Sequence, residues 1–408
     1  MHITILTNEY PPNVYGGAGV HVEYLTRELA RLDGGKHAVD VLSFGEQDER
    51  DGNLRVRGIQ SAANIPVRDP RHAKLMDTLV RDLAMAGAVG DADIVHGHTW
   101  YSHFAGMLAK QLTGAKLVLT THSLEPHRPW KVEQLGTGYH ASSWIERTAY
   151  ANADGVIAVS QSMKEDVQAL YDVPDDRIRV IYNGIDPEQY RPRPDADVLR
   201  QYGVDPDIPF VLFVGRITRQ KGILHLVRAI PHLQSDGPLQ VVLCAGAPDT
   251  EEIEKEMEAA VAEAKGTADA SILWIPKMVP KDDVITLYTH AAVFVCPSVY
   301  EPFGIINLEA MACETPVVAS AVGGIPEIVV PGETGTLVAF EPEGGDSAEP
   351  ADPDAFVRDL AAAVNDLLGD PDRLDRMGRA SRRRVEEQFT WARIAEQTLD
   401  FYRSLLDR

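Results

Sequence analysis

Short apolar, β-branched runs alternate with stretches of helical period along almost the whole chain. Few architectures accept that pattern, because each strand must leave the sheet, be covered by a helix and return parallel. In the first half, strands are expected at residues 3–7, 39–44, 94–96, 116–121, 156–160 and 179–182. Val20, Leu25, Leu29 and Leu32 mark one of the helices between them. The alternation resumes at 210–214, 240–245, 272–275, 293–297 and 316–319. A chain of 408 residues exceeds one ordinary core, so two Rossmann-like α/β domains with parallel sheets are expected. Residues 183–195 separate them, with turn chemistry and the prolines Pro187, Pro192 and Pro194. This gives a first domain over 1–185, a second over 186–390, and an amphipathic helix over 391–408. Residues 340–353, acidic and rich in Gly and Pro, read as an exposed loop.

Composition narrows the function. Apolar residues make up 44% of the chain and charged ones 25%, the values of a globular protein. No apolar stretch approaches the ~20 residues of a membrane span. The chain enters its first strand without a basic region or cleavage site, so a cytoplasmic location is expected. Three cysteines cannot all pair, and Cys244 and Cys296 fall inside strands, which fits a reducing compartment. The formal charge of −22 argues against nucleic acid or an anionic membrane as a partner.

Against that acidic background, a few residues stand out. Glu301 falls in the loop after the strand at 293–297, and Glu309 lies two turns into the following helix. In an open α/β sheet that crevice is where ligands bind. Gly304 allows close backbone approach, and the first N–H groups of the helix, at Ile305 and Ile306, favour an anion such as a diphosphate. Carboxylates beside a phosphate site suit the hydroxyls of a sugar and a ribose. Arg216 and Lys221 follow the strand at 210–214 and can converge on one diphosphate, a planar fork and a mobile point charge. Such a pair stabilises charge that develops on a departing nucleotide.

Gly-Arg-x-x-x-x-Lys-Gly at 215–222 followed by Glu-Pro-Phe-Gly-x-x-x-x-Glu-Ala at 301–310 resembles the donor half of a retaining nucleotide-sugar glycosyltransferase of the family 4 type. The resemblance runs over nearly the whole chain, through Asn8-Glu9-Tyr10-Pro11-Pro12, Gly16-Gly17-Ala18-Gly19-Val20-His21 and Thr121-His122-Ser123. It implies the GT-B fold, two Rossmann-like domains facing across a cleft, with the terminal helix crossing back to the first. More narrowly, Glu125-Pro126-His127-Arg128-Pro129-Trp130-Lys131 and Thr99-Trp100-Tyr101 resemble the actinobacterial glycogen synthase branch. That branch is associated with glycogen synthesis and with forming α-maltose-1-phosphate from ADP-glucose and glucose-1-phosphate.

The resemblance assigns roles. Arg216 and Lys221 hold the leaving diphosphate, Glu301 faces the donor sugar and Glu309 the ribose, and His122 lies beside the sugar's 6-hydroxyl. It implies retention by front-face attack, the donor phosphate taking the acceptor's proton. Gly16, Gly17 and Gly19 are expected to cradle phosphate through backbone N–H groups, because Val14 replaces the lysine of the Lys-x-Gly-Gly form. Thr99 replaces the acid of a His-x-His-Asp-Trp motif, which leaves the proton acceptor open.

The choice of acceptor moves to Arg128 and Lys131 around Trp130, with Tyr139 and Arg147 beside them. Two cations and an aromatic suit a phosphorylated sugar; if they are surface residues, elongation of an α-glucan remains. The nucleotide base and the oligomeric state stay open, a homodimer included. No cofactor is called for, and no metal, because His96, His98 and His103 lack Cys or carboxylate partners at zinc spacing. A nicotinamide or flavin enzyme is disfavoured by the missing last glycine of G-x-G-x-x-G. A phosphorylase would need a pyridoxal lysine and a longer chain. A non-catalytic binder of nucleotide sugars is the remaining alternative.

Overall fold

A parallel sheet covered on both faces needs strands that are apolar throughout rather than alternating. The strands of both halves meet that demand: Ile3, Ile5, Val118, Val211, Val242 and Phe294 are all fully buried. The computed structural model describes every residue except Tyr15, Pro129, Trp130, Gly345 and Asp346, and side chains other than those of Glu133, Ser347 and Ala348. The chain divides into two compact units, one of residues 1–184 with 391–408 and another of 185–390.

The first unit carries β1 (His2–Thr7), β2 (Ala38–Phe44), β3 (Asp48–Asp51), β4 (Leu54–Ile59), β5 (Ile94–His98), β6 (Lys116–Thr121), β7 (Gly155–Ala158) and β8 (Ile178–Val180). Their order is β3-β4-β2-β1-β5-β6-β7-β8, parallel except where β3 turns back on β4. The chain builds outward from β1 in one direction and from β5 in the other, so the order reverses between them. The helix Trp391–Leu406 belongs to this unit, with Ile394, Leu399, Tyr402 and Leu405 buried in its core.

The second unit carries β9 (Phe210–Arg216), β10 (Gln240–Gly246), β11 (Ser271–Ile275), β12 (Val293–Cys296), β13 (Val317–Ser320) and β14 (Gly335–Val338), in the order β11-β10-β9-β12-β13-β14. All neighbours are parallel, and the order reverses between β9 and β12. Three of its helices start on side-chain caps. Thr250 accepts from the Ile253 N–H ahead of three glutamates in the first turn, and Asp352 and Asp370 each cap a helix with Pro next in line.

Three strands lie where none was expected. β3 and β4 carry Asp48, Arg50, Arg55 and Arg57, and exposed charged positions on an outer ribbon mask the strand signal. β14 is only four residues long and half of it is partly exposed. Residues 340–353 also differ from the expected loop, since Pro342–Gly344 pairs antiparallel with Ser347–Pro350. Among the described residues no helix is long and apolar enough to cross a membrane.

Candidate active site

In the second unit, the loops leaving β9 and β12 at the reversal point are stapled together. Val299 N–H donates to the Gln220 carbonyl at 3.0 Å. Gly222 has φ +61°, and a Cβ there would stand 2.0 Å from the Pro297 carbonyl, so the Lys-Gly pair of the sequence is a steric requirement. The staple sets Lys221 Nζ 2.7 Å from Glu301 Oε2, with Ser298 Oγ donating to the same oxygen at 3.3 Å. Glu301 is buried and Lys221 partly so. Burial lowers the Lys221 pKa, but the charge of Glu301 and its hydrogen bond outweigh that and raise it, so the ammonium stays charged. Arg216, at the end of β9, is more exposed and pairs with Asp249.

Gly304, with φ +109°, leads into the helix Ile305–Ala312, and no side chain caps its first turn. Its amides are therefore available to an anion. Glu309 accepts from the Tyr190 hydroxyl at 2.9 Å and the Tyr288 hydroxyl at 3.1 Å. Burial raises its pKa, and the two hydroxyls counter only part of that. Arg216, Lys221, Glu301, Ile305, Ile306 and Glu309 thus come to one end of one sheet.

In the first unit, the equivalent end carries β5's His96 and His98 and, just after β6, His122. His98 Nδ1 and His122 Nε2 share a hydrogen bond of 2.9 Å. His96 bonds the Tyr402 hydroxyl at 2.6 Å and Thr120 Oγ1 at 2.7 Å. His21, from the helix Gly17–Gly35, is held by Asn183 Oδ1 at 2.6 Å. Burial brings the His21 pKa down to about 4, and pushes His98 and His122 well below the ordinary value. All three rings are neutral near pH 7. Thr99 follows with φ +64° and ψ 161°, a costly conformation for a β-branched residue, and its hydroxyl donates to Asn8 Oδ1 at 2.9 Å.

The glycine loop departs from the expected phosphate cradle. The Gly16 N–H donates to the Glu9 carboxylate at 2.9 Å, and a Cβ at Gly19 would stand 2.8 Å from the same group. A buried carboxylate therefore occupies the place beside Gly16 and Gly19 that was assigned to an anion. Gly16 and Gly19 make room for Glu9.

The expected acceptor residues separate from one another. Lys131 Nζ lies 2.8 Å from Glu125 Oε1, and both are buried. Ser142 donates to Glu125 Oε2 at 2.8 Å, and Tyr139 donates its hydroxyl to the Glu125 carbonyl at 2.6 Å. Burial, with Arg128 nearby, lowers the Lys131 pKa to about 8. Lys131 and Tyr139 are thus engaged in the fold, and Arg147 is exposed on the helix Gly138–Asn152. Trp130 lies outside the described residues. Arg128 differs: among the described residues its side chain bonds Ser123 Oγ, one residue after His122, at 3.3 Å, and its Nε is buried without a partner.

Sequence reasoning missed His21, Asp249, Tyr190, Tyr288 and the role of Glu125. Tyr190 lies outside any helix or strand and Tyr288 in the helix Lys281–His290, and neither of these, nor an acid far along the chain, carries a local signal.

Two parallel sheets, each with its polar groups at the carboxyl ends where strand order reverses, define a glycosyltransferase of the GT-B fold. Residues 15–189 match the Glycosyltransferase Family 4 domain and 196–384 the Glycosyl transferases group 1 domain. The chain belongs to this glycosyltransferase family and is a hexosyltransferase. The alpha-maltose-1-phosphate synthase of Mycolicibacterium smegmatis is 48% identical over 412 residues, covering 99% of this chain and 100% of that protein. Its namesake from Mycobacterium tuberculosis is 47% identical over 412 residues, with the same coverage. Among solved structures, sucrose-phosphate synthase from Thermosynechococcus elongatus superposes with a TM-score of 0.77 at 27% identity, over 100% of this chain and 99% of that one.

Proposed function

We propose that the protein transfers a glucosyl group from ADP-glucose to glucose-1-phosphate with retention, forming α-maltose-1-phosphate and ADP. The acceptor's hydroxyl oxygen bonds to the glucosyl C1 as the C1–O bond to the diphosphate breaks, and the acceptor proton leaves on the nucleotide. Lys221 and Arg216 stabilise the charge that gathers on the diphosphate, helped by the uncapped amides at Ile305 and Ile306. Glu301 accepts from the donor sugar, Glu309 from the ribose, and His122 contacts the sugar. No side chain is needed as a covalent nucleophile.

The observation that carries this reading is the 2.7 Å Lys221–Glu301 pair at the reversal of the second sheet, a cation and a hydroxyl acceptor positioned side by side. The full-length similarity to maltose-1-phosphate synthases supports the acceptor, and so does Arg128, whose guanidinium has no carboxylate partner among the described residues. Lys131 is assigned to holding Glu125 instead. A cytoplasmic location and a homodimer belong to the same proposal. The test is product analysis with ADP-, UDP- and GDP-glucose, each offered glucose-1-phosphate and glycogen. Maltose-1-phosphate from ADP-glucose supports the proposal; glucan elongation alone, with glucose-1-phosphate unused, overturns it.

A further inference from the structure

Among the described residues, His21, His98 and His122 form a group of ligating side chains in which one nitrogen from each lies within 4.8 Å of the others. They come from three separate elements: the first helix, the end of β5 and the residue after β6. Their ring centres are 5.3 Å apart for His21–His98, 4.8 Å for His21–His122 and 5.3 Å for His98–His122. Three imidazoles bound to one tetrahedral ion at about 2.0–2.1 Å would have centres roughly 5 Å apart. The rings already have that spacing, and the His98–His122 contact of 2.9 Å is no wider than two nitrogens on one ion require.

A second observation points the same way. His21 Nε2 is buried without a hydrogen-bond partner, although its side chain is almost wholly enclosed. Orphaned buried polar atoms cost free energy and call for an explanation, an ion among them. With Nδ1 of His21 donating to Asn183 Oδ1, Nε2 is the unprotonated nitrogen, the tautomer a metal needs. The amide of Asn183 plays the orienting part that outer groups play around bound metals. His122 is only partly buried, which leaves a route in.

We propose that His21, His98 and His122 bind one divalent transition-metal ion of the imidazole-preferring kind, zinc or cobalt. Binding closes the wider nitrogen separations, at most 4.8 Å, toward the roughly 3.3 Å that two ligands of one tetrahedral ion keep, and opens the 2.9 Å His98–His122 contact slightly. As a consequence that rests on the role given to His122 above, the bound ion withdraws that ring from the donor sugar and inhibits transfer.

The experiment is titration of the full-length, EDTA-stripped protein with cobalt(II), read by its visible absorption. One ion per chain with the spectrum of a tetrahedral nitrogen site is expected. His21→Gln and, separately, His98→Gln are expected to weaken it at least about tenfold. Binding of equal affinity in the wild type and both variants would assign the ion to exposed histidines and overturn the site. If circular dichroism shows either variant unfolded, the wild-type spectrum decides, because an octahedral, water-like spectrum also overturns it. Turnover in the presence of one equivalent of zinc, restored by EDTA, tests the inhibitory consequence separately. Full turnover of the zinc-loaded protein overturns that consequence, while the spectrum still judges the site.

Discussion

The two polar clusters occupy the same place in two similar sheets, yet they are built from opposite materials. The second unit's cluster consists of charges already paired: Lys221 with Glu301, Arg216 with Asp249, and Glu309 under two tyrosine hydroxyls. The first unit's cluster consists of imidazoles kept neutral by burial, bonded to an amide, to hydroxyls and to one another. A leaving diphosphate gains charge during transfer, and sugar hydroxyls do not. Prepaired cations can be redirected to the diphosphate at little cost, whereas neutral donors and acceptors hold a sugar without competing for the anion.

The largest expected effect comes from the exception to this contrast. Lys131–Glu125 is, among the described residues, the most deeply buried ion pair, and it lies in the unit whose imidazole cluster is neutral. Lys131→Met leaves Glu125 charged and unpaired, and should cost about 3–5 kcal/mol in urea unfolding. A loss under about 1 kcal/mol would show that the pair does not hold the fold, and would return Lys131 to the acceptor. Next comes Lys221→Ala, expected to lower kcat by about 10²–10³ with little change in the urea midpoint. Near-normal turnover would remove the charged cluster from the chemistry altogether. Smaller again is Arg128→Ala, expected to lower kcat/KM for glucose-1-phosphate by about 10–100-fold through a lost charge-assisted contact. An equal loss with glycogen as acceptor would show that Arg128 does not read the phosphate.

How much of this was legible depended on whether a residue's partner lay nearby in the chain. The central strands were visible because a doubly covered parallel sheet writes continuous apolar runs, as at Phe210-Val211-Leu212-Phe213. β3 and β4 were not, because Arg55 and Arg57 on an outer ribbon read as loop. Arg216, Lys221, Glu301 and Glu309 stood out through glycines and turn residues beside them. Asp249 lies 33 residues from Arg216 and Asn183 lies 162 from His21, so neither pairing has a local signature. The glycine loop misled for a related reason. Gly16 and Gly19 signal close approach, but sequence does not say by what, and here it is the side chain of Glu9.

The remaining effect is one of pH, and it separates the buried acids around Lys131 from the catalytic groups. Glu146 accepts from the Glu125 N–H at 2.9 Å and from the Tyr171 hydroxyl, with Glu125, Lys131 and Tyr171 as its titratable neighbours and Tyr150 stacked on Tyr171. Burial, then the charge of Glu125, raises its pKa to about 8, against a contribution from Lys131 that lowers it. Between the ordinary carboxylate range and pH 8 the folded protein therefore holds a proton that the unfolded chain has released. Stability should fall as pH rises through that window and flatten above it. Glu146→Gln keeps the shape and removes the ionisation, so its melting temperature should fall less steeply with pH between about 5 and 8 than that of the wild type. Parallel profiles for the two proteins would mean that Glu146 is ionised in the fold, and that the neutral character of the first unit stops short of this pocket.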